Sequence, residues 1–317
     1  MLFDSHGRII SYLRISVTDR CNFRCVYCMP ADGVALVSKQ ALLSFEEITR
    51  VARVGAGLGL VKVRLTGGEP TVRAELPKLV AMLAAIEGID QIAMTTNAAR
   101  LEELAGPLKR AGLGRVNISL DTLDAGRAAE IARRDVLPAV LRGIDAAVSA
   151  RLGPLKFNTV VMRGVNDREL TDLVDFARER NAQIRFIEYM PMGNARFDGH
   201  NRTVTANEML RTLRNRFDLA PEQPGEAHGS DPARGNLPQF FYADAVGLRI
   251  QAVELFLRDK IFCERATRAF GQHGYFRAQF VAGREIVFWS AIFVAAFVFS
   301  DHSGDAVAFV EKLCTRE

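Results

Sequence analysis

The chain has 317 residues, 49% hydrophobic and 25% charged, a balance that supports a full-sized core and excludes disordered and fibrous architectures. Its 41 Lys and Arg against 37 Asp and Glu leave a net charge of +4, too small and too evenly scattered to argue nucleic-acid binding. A basic pocket for an anionic small molecule remains open.

The N-terminus, MLFDSHGRII, carries Asp4, His6 and Arg8 where a signal peptide needs an unbroken apolar stretch, so a cytoplasmic location is expected. The first predicted strand is Tyr12 to Val17. Directly after it come Cys21, Cys25 and Cys28, three of the chain's five cysteines, a grouping that points to metal and not to disulfides. Three thiolates at this spacing can hold three irons of a [4Fe-4S] cube and leave the fourth iron without a protein ligand. A zinc site would want four ligands, and only His6 is near; three buried thiols are the other alternative.

Further strands are predicted at Val61 to Thr66, Gln91 to Thr95, Arg115 to Leu120, Lys156 to Met162 and Ile184 to Met190. Between them Leu76, Leu79, Val80, Leu83 and Ile86 have amphipathic-helix spacing, as do Leu137, Val140, Leu141, Ile144 and Val148. Six βα units in series predict a parallel sheet, either doubly wound or curled into an open barrel. Polar residues at period two favour the barrel: Arg14, Ser16 and Thr18; Lys62, Arg64 and Thr66; Asn117 and Ser119; Lys156 and Asn158; Glu188 and Met190. A lumen lined this way is a binding site, opening at the C-terminal ends of the strands. Gly67 and Gly68 end the second strand, where backbone must approach a ligand closely or turn tightly.

The predicted organisation is α/β: an open (β/α)6 partial barrel over residues 1–220, a Pro- and Gly-rich linker loop over 221–238, and a divergent region over 239–317. Twelve of the 20 Phe fall in that last region. Its longest apolar run, Ile286 to Phe299, contains Ser290 and at 14 residues is shorter than the roughly 20 that span a bilayer, so no membrane span is expected.

The segments YLRISVTDRCNFRCVYCMP, VRLTGGEPTVR, TTN, VNISLDTL, KFNTVVMRGVND and IRFIEYMPMGN together resemble the radical S-adenosylmethionine (SAM) enzymes, and more narrowly the GTP 3′,8-cyclase family of molybdenum cofactor biosynthesis. The resemblance runs from about Ser11 to Phe217. It implies a partial barrel of radical SAM type, an electron donor, and cleavage of SAM to methionine and a 5′-deoxyadenosyl radical. That radical takes the 3′ hydrogen of GTP, and the ribose carbon closes on C8 of the guanine. By resemblance Cys21, Cys25 and Cys28 hold one [4Fe-4S] cluster, Tyr27, Gly68, Thr95, Ser119 and Met190 touch SAM, and Arg14, Arg64 and Lys156 touch GTP or another anionic small molecule.

The C-terminal region departs from the family, whose second cluster rests on a pattern like FCxxCNRLRL…RPCLF. The matching stretch here reads FCERATRAFGQHGYFRAQF, with Cys263 at the first ligand position, Ala266 at the second and Gln279 at the third. One thiolate does not retain a cluster, so a second [4Fe-4S] cluster is expected to be absent. Arg268 stands where the family has a catalytic, GTP-facing arginine. The apolar stretch VFWSAIFVAAFVF reads as a core helix or strand, as a homodimer interface, or as a divergent end that packs poorly.

Overall fold

The structure is a computed structural model of the chain, and it describes residues 2–3, 9–189, 202–221, 239–243 and 249–253. Six parallel strands follow one another in space as they do in sequence: β1 (Tyr12–Ser16), β2 (Lys62–Thr66), β3 (Gln91–Thr96), β4 (Arg115–Ser119), β5 (Lys156–Val161) and β6 (Gln183–Glu188). Sequential order means that every crossover runs the same way, so the helices cover one face only. A doubly wound sheet would reverse its order partway, and this one does not.

Strand alternation explains the layering. Leu13, Ile15, Val63, Leu65, Met94, Val116, Ile118, Phe157, Ile184 and Phe186 point outward and are buried under the helices. The crossovers are α1 (Phe45–Gly57), α2 (Leu76–Ala84), α3 (Leu101–Arg110), the pair α4 (Ala125–Ala132) and α5 (Leu137–Ser149), and α6 (Leu170–Glu179). Helix α1 starts at a capping box, in which Ser44 Oγ accepts from Glu47 N at 3.1 Å and Glu47 Oε2 accepts from Ser44 N at 2.6 Å. The apolar stripe of α5 buries Leu137, Val140, Ile144 and Ala147, while Val148, expected on that stripe, is 43% exposed. A further helix, α7 (Ala206–Arg214), follows β6.

The sheet does not close. Beyond β6 it is extended by β9 (Arg249–Val253), parallel to β6, then by β8 (Gln239–Ala243) and the two-residue β7 (Ala220–Pro221), each antiparallel to its neighbour. Among the described residues no helix is long and apolar enough to cross a membrane.

Candidate functional site at the barrel mouth

The cysteine loop leaves the C-terminal end of β1 and is pinned by backbone bonds to the end of α4: Arg24 N donates to Ala132 O at 3.1 Å and Val26 N to Ile131 O at 2.9 Å. Arg24 Nη1 donates to Cys21 O (2.7 Å) and Phe23 O (2.9 Å), bracing the loop from inside. Cys21, Cys25 and Cys28 are half-buried thiols, none of them in a disulfide among the described residues. Burial pushes the Cys25 thiol far above its usual range, and the negative charges of Asp121, Cys28 and Cys21 add to the effect, which places the three sulfurs in one electrostatic neighbourhood. The fit to a metal cluster rests on the donor set itself, three thiols on one short loop, and a bound cluster's positive charge would favour the thiolates that burial alone disfavours. Among the described residues no group of three or more His, Cys, Asp or Glu side chains is arranged around a single metal ion. A cube, by contrast, takes each thiolate on a different iron.

The GGEP segment lies directly under this loop. Gly67 has φ +149°, and a Cβ there would stand 2.4 Å from Thr18 O; at Gly68 it would stand 2.2 Å from Arg20 O. The close approach that demands glycine is therefore to the backbone entering the cysteine loop. Gly68 N donates to Thr18 O at 2.7 Å and Glu69 N to Arg20 O at 2.7 Å, so Gly68 can offer a ligand its carbonyl.

Glu69 is a hub that the motif alone does not reveal. Its carboxylate, 2% exposed, accepts from Thr71 N (3.0 Å), Thr71 Oγ1 (2.6 Å), Thr96 Oγ1 (2.7 Å) and Asn97 N (2.7 Å). Burial raises its pKa, and these donors only partly offset the rise. Asn97 Nδ2 in turn donates to Asn22 Oδ1 at 2.8 Å, tying the end of β3 to the cysteine loop.

The strand register arranges the lumen in rungs. Arg14 pairs with Arg64, Arg64 with Ala93 and Ala93 with Arg115. One rung nearer the mouth Thr95 pairs with Asn117, Asn117 with Lys156 and Lys156 with Gln183; in the next, Ser119 pairs with Asn158 and Asn158 with Arg185. Arg14, Thr95, Ser119 and Lys156 are half-buried, and Arg64 is 5% exposed with its guanidinium 5.6 Å from the Tyr12 ring centroid. Like charges directly opposite on neighbouring strands destabilise a sheet, so the Arg14–Arg64 pair fits an anion. Arg64 Nε, Asn117 Oδ1 and Asn158 Oδ1 are buried without a hydrogen-bond partner among the described residues, the mark of a lumen shaped for a polar ligand.

Parity in β6 differs from the expected pattern. Glu188 pairs with Val161 on the helix-facing side, and its Oε1 accepts from Ala206 N, the first residue of α7, at 2.6 Å. Arg185 and Ile187 hold the lumen positions instead. Arg115 and Arg185 are lumen cations to which sequence reasoning gave no role; both follow from continuing the period-two pattern once the parity is right.

Tyr27, between the second and third cysteines, donates its hydroxyl to Asp121 Oδ2 at 2.6 Å, just beyond the end of β4. Burial pushes the Asp121 carboxyl up to about 6 despite the bonds from Tyr27 and from Val160 N. Tyr27, Gly68, Thr95 and Ser119 thus lie along the loop and the adjoining strand ends, whereas Arg14 and Arg64 sit deeper in the barrel. Met190, Arg268, Cys263, Ala266 and Gln279 lie outside the described residues.

Residues 15–177 match the radical SAM superfamily. The chain is 50% identical over 218 residues to the GTP 3′,8-cyclase of Moorella thermoacetica, a span of 69% of this chain and 67% of that one. It is 46% identical over 228 residues to molybdenum cofactor biosynthesis protein 1 of Drosophila melanogaster, covering 71% of this chain and 40% of that one. Among solved structures, the crystal structure of Streptococcus suis SuiB aligns with a TM-score of 0.52 at 19% identity over 66% of this chain and 46% of that one, a likeness of fold.

Proposed function

The chain belongs to the radical SAM superfamily and, within it, to the GTP 3′,8-cyclase family, and from that membership we propose that it is a lyase that cyclises GTP at the start of molybdenum cofactor biosynthesis. The observation that carries the substrate reading is the Arg14–Arg64 rung, two cations side by side with no carboxylate paired to Arg64 among the described residues. GTP supplies the negative charge that such a rung lacks.

A [4Fe-4S] cluster held by Cys21, Cys25 and Cys28, with SAM, would supply reductive cleavage to a 5′-deoxyadenosyl radical. The chain's own part is placement. Tyr27, the Gly68 carbonyl, Thr95, Ser119 and Met190 are the SAM contacts in this reading. Arg14, Arg64 and Lys156 hold the triphosphate, and Arg268 serves the guanine end. Glu69 fixes the end of β3 and, through Asn97 and Asn22, keeps the cysteine loop in register with the barrel mouth.

With Ala266 and Gln279 at two ligand positions, the reading includes one cluster per chain. It also includes a cytosolic location, a separate electron donor and self-association through the apolar C-terminal stretch. The test is anaerobic reconstitution followed by iron analysis and assay with SAM and GTP. About four irons per chain, 5′-deoxyadenosine and a cyclised nucleotide are expected. A reproducible value near eight irons would overturn the single cluster, and 5′-deoxyadenosine without cyclised nucleotide would overturn GTP as substrate.

A further inference from the structure

Two residues, Val26 and Tyr27, separate the second cysteine from the third, and each is anchored differently. Val26 is 7% exposed, packs with Ile131, Met162 and Tyr189, and is tied by its N–H to Ile131 O. Tyr27 reaches across the barrel mouth through its hydroxyl to Asp121, 94 residues away in sequence.

Asp121 is held from the other side. Its Oδ1 accepts from Val160 N at 2.9 Å, and its backbone carbonyl accepts from Asn166 Nδ2 at 2.7 Å. Asn166, 1% exposed, also donates to Val160 O at 2.9 Å, and its Oδ1 accepts from Met162 N at 2.7 Å. Asn166 belongs to the MRGVND segment, which the reaction chemistry leaves without a role. A continuous chain of bonds therefore runs from the loop after β5, through Asp121 beyond β4, to the backbone that carries Cys25 and Cys28. Each carboxylate oxygen accepts from a protein donor, one of them the Tyr27 hydroxyl, so Asp121 is built into the frame that holds the cysteine loop.

We propose that Asp121 is a positioning residue for the cofactor site: by clamping the Tyr27 hydroxyl to the β4–β5 edge it sets the Cys25–Cys28 backbone against the barrel mouth and so tunes the affinity for SAM. The inference rests on the proposed SAM and cluster site. Its reach is set by ordinary hydrogen-bond energetics, for which losing one such tie corresponds to roughly tenfold in a dissociation constant.

The experiment compares reconstituted parent, Tyr27→Phe, Asp121→Ala, Asp121→Asn and the double variant Tyr27→Phe/Asp121→Ala. Readouts are iron content, SAM binding, and the change that SAM makes in the electron paramagnetic resonance spectrum of the reduced cluster. Tyr27→Phe and Asp121→Ala should each weaken SAM binding roughly tenfold at the parent's iron content and alter the SAM-bound spectrum. The double variant should be no weaker than the weaker single, because both changes cut one connection. Asp121→Asn, which can accept from Val160 N and donate to the Tyr27 oxygen, should recover most of the affinity. Parent-like SAM affinity and spectrum in both single variants, or losses that add in full, would overturn the role of Asp121. Should Asp121→Ala fail to fold, Tyr27→Phe decides, since it leaves the Val160 tie intact: parent-like binding overturns the proposal. A parent that holds no cluster overturns the underlying site reading, an outcome distinct from variants that match a cluster-bearing parent.

Discussion

The two faces of the same six strands differ in kind. On the helix side, Leu13, Leu65, Val116, Phe157 and Phe186 are 5% exposed or less and belong to one hydrophobic core cluster. One residue along each strand, the lumen side carries Arg14, Arg64, Asn117, Asn158 and Lys156, half-buried or buried, and among the described residues Arg64, Asn117 and Asn158 each leave a polar atom unmet. A fully packed face and an unsatisfied face on one sheet divide the work. The first stores folding free energy, and the second holds groups that cost stability until a ligand meets them. Substitutions one residue apart should therefore separate stability from binding.

The largest effect is expected on the packed face. Phe157 is fully buried and its ring centroid lies 5.5 Å from that of Phe176 on α6. Phe157→Ala should lower unfolding free energy by about 3–5 kcal/mol, read by denaturant titration, through lost transfer energy and the cavity it leaves. A cost below about 1 kcal/mol would mean that the sheet–helix layer is not where stability resides.

Next in size comes its lumen counterpart. Arg64→Met keeps the aliphatic stem and removes the charge. Nucleotide affinity should fall by about 2–5 kcal/mol, roughly thirty- to several-thousand-fold in a dissociation constant, because a desolvated charge partner is gone. Unfolding free energy should hold steady or rise, since the repulsion facing Arg14 is relieved. Equal GTP binding by variant and parent would remove Arg64 from the site, and a stability loss as large as that of Phe157→Ala would erase the distinction between the faces.

Alternation made most of this arrangement readable beforehand. The six predicted strands fall within two residues of those observed, because each has at least two apolar residues at alternate positions to bury under a helix. The polar set Arg14, Arg64, Asn117, Ser119, Lys156 and Asn158 falls on the lumen for the same reason. What local pattern could not supply is long-range satisfaction. Glu188 reads as a lumen acid by period, yet its partner is the N–H of Ala206, the start of a helix 18 residues on. Glu69 finds donors on β3, and Tyr27 finds Asp121 across the barrel mouth. Gly67 and Gly68 signal a close approach, but a sequence does not say whether backbone or ligand is approached.

The smallest expected effect tests whether the outer scaffold titrates independently of the lumen. Helix α7 begins at a capping box: Thr205 Oγ1 accepts from Glu208 N at 3.3 Å, and Glu208 Oε2 accepts from Thr205 N at 2.9 Å. The Thr205 backbone N–H, then Arg163 and the Thr205 hydroxyl, hold the Glu208 carboxyl down at about 2. A carboxylate whose folded pKa is depressed contributes stability that is present above its unfolded pKa and is lost as pH falls through the folded one. Glu208→Gln preserves an acceptor for the cap and removes only the charge, whose partner Arg163 is 48% exposed and screened by solvent. The variant should thus be less stable than the parent by about 0.5–1 kcal/mol at pH 7 and low salt, with the difference shrinking below the ordinary carboxylate pKa and vanishing near pH 2. Thermal unfolding of the pair at several pH values measures it. SAM affinity at pH 7 should be unchanged, because α7 meets the sheet from the helix side. A pH-independent difference would place the effect in packing, and a shifted SAM affinity would show that the helix layer reaches the lumen after all.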